Sequence, residues 1–276
     1  YGKMANRYPA AGSAYTYVGK GLNPYLGFIA GWSMFLDYLV IPILCTIFVN
    51  ITAGELLSTG GIFGNNPIPF LDSVPYHVWV IILGGSFTIL NLNGIKTTAR
   101  SNMIMMVIMC TVILAFMVEG AKHVLGMNGL GGLFSIKPIY NSDFSLPAIG
   151  TATAVAALTY IGFDGLTTLS EEVENPRRNV LLATVLTCLI TGVLSGSQIY
   201  LAQLIMPDYT KIELLQNVET AFAHAGRLAG GLWLFNAVSI TLFIGSYASG
   251  YSGQASAARL LYGMGRDNIL PKGFFG

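Results

Sequence analysis

Charged side chains are scarce in this sequence. Asp, Glu, Lys and Arg make up only 10% of its 276 residues, whereas apolar side chains make up 53%. A soluble globule of this size needs more charge to cover its surface. The apolar runs are about as long as the roughly 20 residues that a helix needs to cross a bilayer, and they lack the alternation of an outer-membrane barrel. We therefore predict an all-α integral membrane protein.

Other residue types are also too few or too dispersed to support common functions. The three cysteines, Cys45, Cys110 and Cys188, lie in separate apolar runs and cannot form a metal-binding or disulfide framework by spacing. The three histidines lie in or beside predicted outer loops, which does not support a histidine proton relay. A formal net charge of +1 offers no basic surface to nucleic acid.

No enzyme motif is found either. The sequence has no phosphate-cradling glycine loop, no Gly-x-Ser-x-Gly and no Cys or His metal spacing. We therefore predict neither enzymatic activity nor a cofactor nor a metal. Any energy for work must come from an ion gradient or from exchange.

The apolar runs predict six membrane spans within one domain covering residues 1–276. They lie at about 24–56, 76–95, 101–119, 148–170, 180–206 and 231–257. The sequence begins without an initiator methionine or a signal peptide, so we expect it to be part of a longer chain.

The basic residues predict the orientation of these spans. Four of the fourteen fall on one side, namely Lys122, Lys137, Lys211 and Arg227. Ten fall on the side that carries both ends of the segment: Lys3, Arg7, Lys20, Lys96, Arg100, Arg177, Arg178, Arg259, Arg266 and Lys272. The positive-inside rule therefore places both ends in the cytoplasm.

The fourth span contains the most informative stretch of the sequence. Its apolar run is interrupted at 160–165, where Gly162 and Gly165 flank Asp164. A helix that loses regularity at membrane depth leaves free amides and carbonyls, which usually mark a binding site. The alternatives are a simple kink at the glycines and a capping role for Asp164 at the start of the next half-helix.

A second carboxylate, Asp37, is predicted about midway along the first span. An ionisable side chain at this depth costs on the order of 3 kcal/mol and is seldom retained without a function. We expect either a counter-charge for a ligand ammonium or a proton carrier, with a hydrogen bond between helices as the alternative. Leu158, Tyr160 and Phe163 are candidates to line the site, and ordinary packing is the alternative for each ring.

A charge cluster follows the broken span. It contains Glu171, Glu172, Glu174, Arg177 and Arg178. A solvated cluster is the default interpretation. The more specific hypothesis is an inner gate of ion pairs that must open to release a ligand.

Three motifs together resemble a known family. They are Tyr8–Tyr17 with Asn23–Phe28 and Gly31–Trp32, then Gly162–Asp164 with Glu171–Asn179, then Arg259–Asp267 with Pro271. Their order and spacing resemble the amino acid, polyamine and organocation transporter family. Within that family, the sequence at 12–17, 36–39 and 167–172 is most similar to bacterial putrescine importers.

The resemblance implies a fold and a site. It implies the third to eighth helices, with the end of the second, of a leucine-transporter-like bundle built from two inverted five-helix repeats. It places Asp37 and Tyr38 beside the substrate pocket and Asp164 just below it. The sixth-helix wall of that pocket would be formed by Leu158, Ile161 and Gly162.

The resemblance also shows two departures. The family's first helix, which carries half of the binding site, and its ninth and later helices have no counterpart here. The lysine that some members use for proton coupling has no counterpart within 101–118. Asp164 and Glu171 therefore become the candidates for coupling.

We thus expect a proton-coupled importer of a polyamine such as putrescine in a bacterial inner membrane. Its partners would be a small amine or amino acid substrate, a coupling proton, the lipid bilayer and the missing helices. One alternative is an amino acid permease or an amino acid/amine exchanger. Another is a membrane structural or receptor protein that transports nothing. A channel is disfavoured because the polar groups cluster at one depth.

Overall fold

The computed structural model describes residues 1–8, 10, 12–57, 75–93, 95–140, 145–171, 173–207 and 220–275. All regular structure in these ranges is helical. A 3₁₀ turn covers Ala157–Tyr160. The α-helices are α1 (Gly2–Arg7), α2 (Ser13–Gly21), α3 (Pro24–Leu57), α4 (Tyr76–Leu92), α5 (Ile95–Gly132), α6 (Leu146–Ala156), α7 (Gly165–Thr168), α8 (Pro176–Ile205), α9 (Ala221–Gly230), α10 (Leu232–Arg266) and α11 (Lys272–Phe275). The prediction of an all-α fold is confirmed.

Five helical segments in the described ranges are long and apolar enough to cross a membrane. They are Pro24–Ala53, Ala99–Gly132, Ile149–Thr168, Pro176–Ile205 and Leu232–Arg266. A shorter apolar helix covers His77–Leu92. The helices α5 and α10 continue beyond their predicted spans, where good helix formers such as Ala121, Lys122 and Arg259 follow the apolar runs. The backbone of α5 is kinked at Gly129, which has φ 64°.

A single glycine separates α9 from α10. Gly231 has φ 77°, and its amide donates to the carbonyl oxygen of Arg227 at 2.9 Å. This left-handed geometry is open to glycine and strained for most other residues. The chain therefore ends one helix and starts the next without a loop.

One compact unit consists of 1–44, 153–193 and 249–276. Its main apolar core is formed by Tyr15, Tyr38, Ala257, Leu260 and Met264. The helices α2 and α3 approach closely at Gly27, since a Cβ added there would lie only 2.6 Å from the Cα of Gly19. Glycine leaves the space for this approach. Small residues at this contact thus let the two helix backbones pack closely.

The other compact unit consists of 45–152 and 194–248. Its core joins α5, α8, α9 and α10 through Phe116, Val124, Leu201, Ile205, Ala223, Ala225, Leu234, Phe235 and Val238. The hydroxyls of two tyrosines form hydrogen bonds inside this unit. Tyr200 reaches the carbonyl oxygens of Leu133 and Ser135 at 2.9 Å, and Tyr247 donates to Ser86 Oγ at 2.8 Å.

Candidate functional site

The helix break predicted at 160–165 is present. The 3₁₀ turn ends at Tyr160, Ile161 has ψ 131°, and Gly162 has φ 98° before helix α7 resumes at Gly165. Only glycine adopts such a φ readily, so Gly162 is what permits the chain to turn here. Short turn bonds replace the helical ladder, including Gly165 N–H to the carbonyl oxygen of Gly162 at 3.0 Å.

Asp164 binds a neighbouring helix through its carboxylate. The residue occupies the N-cap position of α7, but its side chain makes no capping hydrogen bond. Its Oδ2 instead accepts a hydrogen bond from the Tyr38 hydroxyl of α3 at 2.7 Å. The capping alternative is therefore wrong, because the carboxylate binds the buried phenol from α3 and no amide of α7. A hydrogen bond to a charged acceptor is among the stronger ones in proteins.

Tyr38 and Asp37 present different faces of α3. Tyr38 is 1% exposed, whereas the side chain of Asp37 is exposed. Successive helical residues point about 100° apart, which explains why only one of the two is buried. Asp37 nevertheless lies close enough to Asp164 for the two carboxylates to repel each other. A cation that binds near both would relieve this repulsion.

The residues before the break lie on the surface of the unit. Leu158 is 58% exposed, Ile161 43% and Tyr160 40%, and Gly162 is exposed as well. Phe163 differs from them: it is half-buried and its ring meets Tyr1 edge-on at a centroid distance of 5.0 Å. Leu158, Ile161 and Gly162 are thus exposed, and their role as a pocket wall stays a prediction; the ring of Phe163 is turned toward the start of the chain.

Two hydroxyl residues support the chain just after the break. Thr167 Oγ1 lies 2.6 Å from the carbonyl oxygen of Asp164 and 2.7 Å from Ser13 Oγ of α2. Both hydroxyl residues are fully buried, and Ser13 has φ 48°, a strained value for a non-glycine residue. The contact fixes the far side of the break to α2. Sequence reasoning missed Ser13, since 154 residues separate it from Thr167.

An ion pair joins the segment after the break to the end of α10. Both guanidinium nitrogens of Arg266 contact the carboxylate oxygens of Glu171, at 3.0 and 2.9 Å. The predicted gate included Arg177, which is exposed in the first turn of α8. Glu172, also a predicted gate residue, lies outside the described residues. Sequence reasoning missed Arg266 because nothing local pairs it with Glu171.

A second contact ties α2 to the end of α10. The Tyr15 hydroxyl donates to Asp267 Oδ2 at 2.8 Å. Burial raises the pKa of the Tyr15 phenol, and the hydrogen bond to Asp267 raises this pKa further. The phenol therefore stays protonated and remains a donor across the physiological pH range. Together with the Glu171–Arg266 pair, it joins α2, α10 and the residues after α7.

The arrangement offers negative charge and main-chain dipoles to a ligand. Within the described ranges, no group of three or more His, Cys, Asp or Glu side chains is arranged to hold a metal ion. The carboxylates of Asp37 and Asp164 are suited to an ammonium group, and the glycine-permitted break leaves peptide groups outside a regular helix.

The sequence also matches known proteins. The sequence model of the family described as "Amino acid permease" matches residues 1–276. The low-affinity putrescine importer PlaP of Escherichia coli (strain K12) is 33% identical over 100% of this chain and 57% of its own length. The branched-chain amino acid permease BcaP of Bacillus subtilis (strain 168) is 25% identical over 98% of this chain and 57% of its own length.

A plant relative is named as a transporter of cationic amino acids. The vacuolar cationic amino acid transporter 4 of Arabidopsis thaliana is 27% identical over 99% of this chain and 45% of its own length. The chain therefore spans about half the length of these curated relatives, between 45% and 57%.

Proposed function

Because this multi-pass membrane chain belongs to the amino acid permease family, we propose that it forms part of a secondary transporter for an amine-bearing solute. The preferred substrate is a polyamine such as putrescine, imported with a proton across a bacterial inner membrane. The putrescine importer that is 33% identical to the chain supports this choice of substrate and membrane. The transport itself requires the longer protein of which this chain would be a part.

The single observation that carries the proposal is the pair of carboxylates at the break. Asp164 is held by the buried Tyr38 hydroxyl, and Asp37 is exposed beside Tyr38 and repelled by Asp164. A diamine carries two ammonium groups and no carboxylate, so its site needs negative charge. Two carboxylates that repel each other match such a ligand better than they match a zwitterion, which also needs a positive partner.

The direction of transport follows from charge. Uptake of a cation moves positive charge toward the negative, cytoplasmic side of the membrane. Each elementary charge moved inward yields about 2.3 kcal/mol per 100 mV. A divalent amine gains twice as much as a monovalent one. Import is therefore the favoured direction for a polyamine.

The contacts after the break are proposed as the inner gate. The Glu171–Arg266 pair and the Tyr15–Asp267 hydrogen bond would hold the segment closed and would have to separate before release. Asp164 and Glu171 are the proposed proton carriers. Protonation would remove the charge that Asp164 offers to an ammonium and the charge that Glu171 offers to Arg266, so either step favours release.

A second candidate function is an amino acid permease or exchanger. Relatives named as a branched-chain amino acid permease and a cationic amino acid transporter favour it. In that case a part of the protein outside this chain would bind the substrate carboxylate, and Asp37 or Asp164 would face the amino group.

Uptake by the full-length protein tests the proposal. Radiolabelled putrescine is offered to proteoliposomes that contain it, with unlabelled putrescine, arginine or a neutral amino acid as competitor. We expect competition by putrescine, little competition by the neutral amino acid, and loss of uptake when a protonophore collapses the proton gradient. Uptake of the neutral amino acid in place of putrescine would favour the second candidate. Unchanged uptake and stability in Asp37→Asn would favour a protein whose polar breaks have no role in transport.

A further inference from the structure

The hydroxyl of Tyr160 lies against the backbone of α8 at a glycine. A Cβ added to Gly192 would be 2.5 Å from the Tyr160 hydroxyl oxygen and 3.7 Å from its ring carbon Cζ. Gly196 lies one turn further along the same helix, and a Cβ there would meet nothing within 4 Å. Of these two glycines, only Gly192 gives the phenol the space that it occupies.

The contact bears on the candidate site because of where Tyr160 stands. It is the last residue of the 3₁₀ turn, directly before the break at Gly162, and 40% of it is exposed. The backbone on one side of the ring is fixed by turn bonds, including Ile161 N–H to the carbonyl oxygen of Leu158 at 3.2 Å. The hydroxyl end occupies the space that the missing side chain of Gly192 leaves. The ring therefore extends from the break to α8.

We propose that Gly192 is a positioning residue that sets how far the Tyr160 ring extends into the substrate space and so limits the length of the amine accepted. The inference rests on the proposed transport function and adds a specificity determinant on α8. Gly192 itself touches no substrate. It acts by giving the Tyr160 hydroxyl a place away from the break.

A methyl group at Gly192 would remove that place. Ordinary van der Waals contact begins near 3.4 Å, so the hydroxyl oxygen must retreat by roughly an ångström. The ring is tethered at its backbone and 40% exposed, so it has room to move away from α8. If the substrate binds at the break as proposed, this movement would bring the ring toward it and obstruct a long amine more than a short one.

A double-mutant cycle in the full-length protein tests this. Gly192→Ala should raise the KM for putrescine about tenfold with little change in maximal rate, and it should raise the KM for a longer diamine by more. Adding Tyr160→Phe removes the clashing oxygen, so the double variant should return to within about twofold of Tyr160→Phe alone. Gly196→Ala is the matched control and should behave as the wild type.

Thermal unfolding of the same variants tests the contact between Gly192 and Tyr160 independently of transport. Gly192→Ala should unfold at a lower temperature than the matched Gly196→Ala, and adding Tyr160→Phe should remove this difference. Coupling in unfolding without a change in KM would show a packing contact only and would overturn the inference. Equal impairment of the single and double variants, equal impairment in Gly196→Ala, or a double variant that fails to insert would overturn it too. Absence of any amine uptake by the wild type would instead refute the proposed function.

Discussion

Removing one hydroxyl, in Tyr38→Phe, is the perturbation that most directly addresses the site. The ring of Tyr38 is 1% exposed and belongs to the core around Tyr15 and Met264, so phenylalanine should preserve its packing. The change removes only the donor that contacts Asp164 Oδ2 at 2.7 Å. The carboxylate would then lose its bond to α3 beside the break.

The magnitude follows from the kind of bond. A hydrogen bond to a charged group contributes about 1.5–3 kcal/mol, and a buried donor cannot be replaced by water without rearrangement. We take about 2 kcal/mol, which corresponds to roughly a thirtyfold change in an equilibrium or rate ratio. We therefore expect the Vmax/KM for putrescine uptake to fall about thirtyfold.

The assay is uptake into proteoliposomes by Tyr38→Phe, Asp164→Asn and the double variant of the full-length protein. Because Tyr38→Phe removes this bond and Asp164→Asn removes the charge that strengthens it, their effects should not add, and we expect a coupling of about 1–3 kcal/mol. Tyr200→Phe is the matched control. It removes a hydroxyl bonded to the carbonyl oxygens of Leu133 and Ser135, so it should change stability slightly and leave uptake intact.

Two results would refute this reasoning. Wild-type uptake in Tyr38→Phe would mean that the bond has no part in transport. Additive losses in the double variant would mean that Tyr38 and Asp164 act independently, and the contact at the break would then have no functional meaning.

Three further predictions address the rest of the unit. Asp37→Asn should raise the KM for putrescine about tenfold without changing the unfolding temperature, because the exposed side chain offers charge and no packing; an equal change in KM for a neutral amino acid would contradict this. Exchanging the charges as Glu171→Arg with Arg266→Glu should restore most of the uptake lost in either single variant, and each single variant should change stability by no more than about 1 kcal/mol because the side chains are 36% and 41% exposed. Gly27→Ala should destabilise the protein by about 1–3 kcal/mol because its methyl would meet the backbone of α2, whereas Gly84→Ala, with open space around it, should be neutral or stabilising in thermal unfolding.

The helices were predictable because composition alone requires them. Runs such as 24–53 are too apolar for any soluble fold, and a membrane leaves the helix as the form that satisfies its own backbone. Helix ends were less predictable. The helix α10 runs to Arg266 despite Gly263 and Gly265, and the helical backbone ends before Asn268, whose φ is 59°. Apolarity marks where a helix enters lipid and does not mark where it stops.

The site was predictable only in its local part. Gly162 signalled the break because glycine readily adopts the positive φ that interrupts a helix, and Asp164 because a carboxylate is costly at membrane depth. The partners were not predictable, since Tyr38 lies 126 residues from Asp164 and Arg266 lies 95 residues from Glu171. Which face of α3 holds the donor depends on packing. The residue that contacts Asp164 is buried Tyr38, and the exposed neighbour Asp37 only repels it.

A structure of the full-length protein with bound putrescine tests the central claim most directly. The account predicts one ammonium group within about 4 Å of a carboxylate oxygen of Asp37 or Asp164, beside the main-chain groups freed between Tyr160 and Gly165. An amine bound elsewhere in the protein, with both carboxylates facing only protein or lipid, would contradict it.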